Sequence, residues 1–155
     1  MISDDVASFI EGLVMGLVST RNSANRAFIA RASGARYLSA TGLIEVLLSA
    51  VQWSDVARNA HAGAPIATTF VRPNDYCAYQ IKGWIEDVAP ASGDDIARAE
   101  RYVERMLEQM SDLGVTRIQL SHTLTASELM RISFRPTDLF LQTPGPRAGQ
   151  RLELS

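Results

Sequence analysis

Arg26, Arg31 and Arg36 recur at five-residue intervals in a stretch that otherwise reads as buried strand. A guanidinium seldom enters an apolar strand without an anionic partner, because burying it unpaired is costly. Glu45 is the sole acidic residue between Arg26 and Ser54, so internal carboxylates are scarce and an anionic ligand is the expected partner. Spacing of five alternates faces on a straight strand, so the Ser33-Gly34 irregularity has to re-aim the chain if Arg31 and Arg36 are to meet. A second group, Gln80, Lys82 and Trp84, falls on one face of a long alternating segment and sets hydrogen-bonding groups beside a flat ring. A third is Gln142-Thr143-Pro144-Gly145-Pro146 with Ala148-Gly149, too rigid for a random tail and suited to a fixed turn.

Other chemistries find no support. His61 and His122 have no metal-ligand spacing to each other or to Cys77, and no metal is expected. There is no Gly-x-Ser-x-Gly elbow and no glycine-rich phosphate loop. Asp94, Asp95, Glu100, Glu104 and Glu108 read as a solvated helix face, with Asp94 and Arg98 spaced for an ion pair. A net charge of −2 and a pI near 5.7 argue against a nucleic-acid partner, and Lys82 is the only lysine. With one cysteine no internal disulfide forms. Met1 to Phe9 carries Asp4 and Asp5 where a signal peptide needs positive charge, and no apolar run approaches the ~18–20 residues of a membrane span. A cytoplasmic protein with no membrane partner is expected.

The elements that position these groups read as one domain over residues 1–155, with residues 142–155 packed on the barrel or on a partner subunit. Ser3 caps a short helix ending at Gly12, with Val6, Phe9 and Ile10 on one face. Leu13 to Thr20 is apolar on both faces and reads as a strand buried on two sides. Arg26 to Ala32 and Ala35 to Ala40 form one interrupted strand, and Thr41-Gly42 turns it into Leu43 to Ser49. Ser54 is expected to cap a short helix to Ala62, followed by strands Ile66 to Val71 and Tyr76 to Val88. The longest helix spans Gly93 to Leu113, capped by Ser92, with Ile96, Ala99, Val103, Met106, Leu107, Met110 and Leu113 as its buried stripe. Val115 to Ser127 is ambiguous, Leu129 to Phe134 is a strand, and Pro136 to Leu141 leads to the tail. Tight turns between consecutive strands give an α+β, mainly β class: a six-or-so-stranded antiparallel barrel with flanking helices.

On Leu17-Val18-Ser19-Thr20-Arg21, Gly63-Ala64-Pro65-Ile66-Ala67-Thr68-Thr69-Phe70, Gln80-Ile81-Lys82-Gly83 and Phe140 to Gly149, and on the order of its elements, the chain resembles the pyridoxamine 5′-phosphate oxidase-like family of FMN-binding split barrels. The last two segments resemble a bacterial subgroup of small relatives. The resemblance implies a homodimer with FMN at the subunit interface and a flavin-dependent oxidoreductase or flavin reductase. By position it assigns Arg31, Arg36, Ser49, Ser54 and Arg58 to the phosphate or interface, and Gln80 and Lys82 to the flavin. The oxidase proper has a Ser-Arg-Lys run where this chain has Ser54-Asp55-Val56, so vitamin B6 oxidation is not expected. The other readings are a non-catalytic flavin- or anion-binding sensor and a haem-binding split barrel, the latter requiring His61 or His122 near the cleft.

Overall fold

The computed structural model describes residues 1–154. Seven strands form one antiparallel path, and an eighth pairs off it. β1 (Met15–Arg21) lies between β2 (Ala27–Arg31) and the later strand Pro65–Val71; β3 (Ala35–Leu38) pairs with β4 (Leu43–Ser49). With Pro65–Val71 as β5, Ala78–Pro90 as β6 and Leu129–Leu141 as β7, the order is β2-β1-β5-β6-β7-β4-β3. The ends of this path, β2 and β3, are consecutive in the chain. Ala32 N–H donates to Gly16 O on β1 at 2.9 Å, whereas Ser33 N–H donates to Leu47 O on β4 at 2.7 Å. The expected interruption at Ser33-Gly34 is therefore where one strand leaves one wall for the other. The ladder does not close into a cylinder; that crossing draws its two edges together, which is a split barrel. Eight strands replace the expected six because the interrupted strand counts twice and β8 (Arg151–Leu152) adds to β7.

Alternation sends Val18, Phe70, Ile81, Ile85, Ile44, Val46, Ile132 and Phe134 inward, where they form the core. α1 (Asp4–Glu11), capped by Ser3, adds Val6 and Ile10, and α2 (Ser54–Asn59) adds Val56. Thr20 Oγ1, buried on the inner face of β1, donates to Val56 O at 3.0 Å and ties α2 down. β1 is not buried on two sides as its apolarity suggested: Val18 and Thr20 face in, while Leu17 and Arg21 face out.

α3 (Gly93–Asp112) and α4 (Arg117–Ser121) lie over one end of the outer face, where Met106, Leu120 and Leu124 pack with Leu13, Met15 and Tyr102. α4 resolves the ambiguous stretch through a capping box of Thr116 and Gln119. The stripe expected on α3 is narrower than its pattern: Ala99 and Met106 are buried, but Ile96 is turned off the face that Asp95, Ala99 and Met106 present to the sheet, and Leu113 is the exposed C-cap residue. Asp95 is a second correction. Expected on the solvated face, it is fully buried, accepts from Ser92 N–H at 2.9 Å, and pairs with Arg98 at 2.7 Å and Arg131 at 3.1 Å. The helix pair is Asp95–Arg98, not Asp94–Arg98.

β7 runs unbroken through Pro136, where two separate segments were expected. The register shift between Lys82 and Gly83 absorbs the proline, which has no N–H for the ladder. A Cβ at Gly83 would collide with the Arg135 carbonyl oxygen, so this close crossing requires glycine. The tail is a fixed turn, as its prolines and glycines implied. Ala78 N–H donates to Thr143 Oγ1 at 3.0 Å, Gly149 N–H to Leu141 O at 2.7 Å, and β8 follows. Among the described residues no helix is long and apolar enough to cross a membrane.

Candidate functional site

The outer face of the sheet is built from registered rows. Ile29, Ser19, Ala67, Lys82 and Asp138 stand opposite one another on β2, β1, β5, β6 and β7. The neighbouring row is Arg31, Leu17, Thr69, Gln80 and Phe140. Directly opposed side chains lie about 5 Å apart, so each row is continuous contact surface. α3 covers the Arg31 end and leaves the rest open. In that open region is a groove of about 380 Å³ lined by Ser19, Arg21, Ala67, Lys82, Trp84 and Asp138 among others.

Side-chain size shapes this groove. Ser19 and Ala67 are small and leave a flat floor, while Trp84, Arg21 and Lys82 rise at its margins. Its electrostatics follow from which charges are already paired. Asp138 gives Oδ1 to Arg151 at 2.7 Å and accepts from Thr137 Oγ1 through Oδ2 at 2.8 Å. Lys82 Nζ lies 4.9 Å from the Phe140 ring centroid and makes no ion pair; Arg21 has none either among the described residues. Two unpaired cations above a flat, mixed floor suit a planar ligand that carries negative charge.

The residues singled out from the sequence divide between this groove and elsewhere. Lys82 and Trp84 line it, and Gln80 stands one row away, donating through Nε2 to Thr69 Oγ1 at 3.4 Å. Arg31 shares the row of Gln80, three strands over. It is only 8% exposed, beside Tyr102, and its Nε and Nη2 are buried without a protein acceptor. Burial pushes the Tyr102 phenol up to about 12, against the opposing charge of Arg31. Arg36 does not join them. It faces Glu45, with Nε to Oε2 at 2.6 Å, so the scarce carboxylate does suffice as its partner. Glu45 also lies 3.5 Å from Arg131, linking Arg36 through Arg131 to Asp95 and Arg98. The expected convergence of Arg31, Arg36 and Gln80 is therefore absent from this arrangement.

The expected phosphate cradle around α2 is likewise not assembled. Ser49 Oγ is buried and accepts from Gln52 N–H at 3.2 Å. Arg58 pairs with Asp55 at 3.0 Å. Trp53, not Ser54, is the N-cap, with no side-chain cap bond, and the helix spans only 6 residues. Ser54 lines a separate cleft of about 300 Å³ with Ile29, Trp53 and Asp55. Neither His61 nor His122 lines the groove or this cleft. What sequence reasoning missed as site residues are Arg21, Ser19 and Ala67. Their signal was the polar Ser19-Thr20-Arg21 ending an apolar strand: alternation places Ser19 and Arg21 together on the face opposite the core.

Neither a protein-family model nor a curated protein matches the sequence. Solved structures do. HupZ from Group A Streptococcus is similar at 13% identity over 96% of this chain and 100% of that one, with a TM-score of 0.55. An F420 reductase is similar at 16% identity over 85% of this chain and 93% of that one, TM-score 0.53. A pyridoxamine 5′-phosphate oxidase-related, FMN binding protein from Nostoc punctiforme aligns at 12% identity over 87% and 77% of the two chains, TM-score 0.48. At such identities likeness speaks to architecture alone: with the crossing at Ser33-Gly34, this chain has a split-barrel fold that it shares with HupZ and the F420 reductase.

Proposed function

We propose that the protein is a homodimeric flavin-binding oxidoreductase that holds FMN, or a flat anionic cofactor of the same kind, in the groove over β1, β5 and β6. One observation carries this reading: a flat floor of Ser19 and Ala67 bordered by an exposed indole and two cations without ion pairs among the described residues. These residues fit an isoalloxazine ring with a negatively charged stem, the floor meeting the ring and Lys82 or Arg21 the charge. The phosphate cradle that the resemblance implies at Ser49, Ser54 and Arg58 does not fit, since Ser49 Oγ is taken by Gln52 N–H, Arg58 by Asp55, and Ser54 lines a separate cleft. Bound flavin would supply the redox chemistry, and the protein orientation and electrostatics. The chain's own part is to align the ring against the sheet, exclude water with Trp84, and neutralise charge with Lys82. Vitamin B6 oxidation is not proposed.

The dimer belongs to the same reading. Leu17, Ile29 and Trp84 are 37%, 62% and 51% exposed on the open outer face, and a second copy would bury them and wall the groove. Ordinary cytosolic conditions suit a chain whose single cysteine forms no disulfide. The direct test is the absorption spectrum of freshly purified protein, then addition of NAD(P)H without air. Flavin bands that bleach support an oxidoreductase. Flavin bands unchanged by any reductant-coupled turnover leave a binding protein, and a Soret band in place of flavin bands overturns the proposal.

A further inference from the structure

Along one flank of α3, beside its buried stripe, a second cleft opens between the helix, the loop after α1 and the β2–β3 bend. It measures about 190 Å³, and Arg98, Arg101, Tyr102 and Arg105 of α3 face Glu11 and Gly34 across it. The spacing i, i+3, i+7 sets three guanidiniums on one helix face. Like charges at i and i+4, here Arg101 and Arg105, destabilise a helix unless something opposes them. The Glu11 carboxylate stands across the cleft, but among the described residues no carboxylate comes within ion-pair distance of Arg101 or Arg105. Glu104, the carboxylate one turn away, pairs with Arg117 at 3.4 Å, and Arg101 and Arg105 make no ion pair among the described residues. Arg98 gives Nη2 to the buried Asp95 at 2.7 Å, while its Nε is buried without an acceptor.

Two carboxylates lie at or near this cleft, and neither pairs with Arg101 or Arg105. Glu11 accepts the Tyr37 N–H through Oε1 at 2.7 Å, and Asp95 is shared between Arg98 and Arg131. Across the cleft Gly34 has open space where a side chain would stand. The volume falls below the ~300–1,000 Å³ of pockets for drug-sized ligands, so a small group is the fitting occupant. Three guanidiniums offer the forked donors that a tetrahedral oxyanion accepts.

We propose that this cleft is an anion site, separate from the sheet groove, which binds the phosphate group of a small metabolite through Arg101 and Arg105, with Arg98 fixing the positive floor. Occupancy relieves the repulsion along α3 and fastens the helix to α1 and the β2–β3 bend. A phosphate ligand here therefore stabilises the fold.

Inorganic phosphate is the probe, titrated calorimetrically and by thermal unfolding against sodium chloride of equal ionic strength. Arg101 and Arg105 are exposed and touch no core group, so R101Q/R105Q folds as the wild type does; circular dichroism checks this. The expected result is saturable binding and a phosphate-specific rise in Tm for wild type, with affinity lowered about tenfold or more in the double variant. A Lys82→Gln variant keeps the full phosphate response. No phosphate effect beyond chloride, an undiminished response in R101Q/R105Q, or loss of the response in Lys82→Gln would each overturn the site.

Discussion

A basic side chain on this sheet has one of three fates, and the difference decides what it can do. Arg36 lies against Glu45 and is spent within the fold, so Arg36→Ala should cost stability and leave flavin affinity unaltered. Lys82 has only the face of Phe140 and keeps its charge for a ligand. Arg31 is a third case: it lies against Tyr102, and its Nε and Nη2 are buried without an acceptor. Tyr102 itself donates to Val14 O at 2.7 Å. Tyr102→Phe strands that carbonyl and should cost about 1–3 kcal/mol, read as a shift in the urea midpoint. Unchanged stability would mean that another donor reaches Val14. From the sequence, the arginine spacing signalled a need for anionic partners, and that need exists. Which carboxylate answers it depends on the Arg36–Glu45 register across β3 and β4, and spacing alone does not carry that register.

At the scale of elements, the helix α3 is anchored by its first turn as much as by its apolar stripe. Asp95 combines the N-cap acceptor with two ion pairs at a buried position, and removing one partner of such a set leaves buried charge uncompensated. Asp95→Ala should therefore cost about 3–5 kcal/mol. Burial alone would raise the Asp95 carboxyl, but Ser92 and Arg98 outweigh it and hold it well below the usual carboxylate range. A depressed folded pKa contributes stability above the unfolded value, near 4, and loses it as pH falls further. Unfolding free energy should thus be flat from neutrality to about pH 5 and decline below about pH 4, with a shallower decline in Asp95→Asn. An equal decline in both proteins would place the acid sensitivity elsewhere. Met106→Ala, fully buried on the same helix, should cost about 2–5 kcal/mol. Gly83→Ala meets the Arg135 carbonyl and should cost about 1–3 kcal/mol.

The same scale shows where the pattern of residues was readable and where it was not. Strand alternation in Tyr76 to Val88 correctly set Ile81 and Ile85 against Lys82 and Trp84, because pleating is local. The Ser3 and Ser92 caps were legible for the same reason. Asp95 was not, since a carboxylate in a first helical turn looks the same whether water or Arg131 stands beyond it. α2 ends three residues early, and its cap is Trp53, because tertiary bonds such as Thr20 to Val56, rather than propensity, hold so short a helix.

For the whole molecule, the split barrel presents two outer surfaces with different fates: α3 and α4 seal one, and the other stays open with Leu17, Ile29 and Trp84 displayed. A dimer through that open face unites the exposed apolar groups with the groove. Sedimentation at micromolar concentration should show a dimer, and Ile29→Glu should shift it towards monomer while preserving the far-ultraviolet spectrum. Monomer alone in wild type would remove the shared-wall part of the proposal. The measurement closest to the central claim is a fluorescence titration of FMN into wild type and Lys82→Gln. Saturable quenching is expected in wild type, with affinity weakened by ~1.5–3 kcal/mol, roughly 10- to 100-fold, in the variant. Absent saturable binding by wild type, or equal binding by both proteins, would contradict a flavin site over β1, β5 and β6.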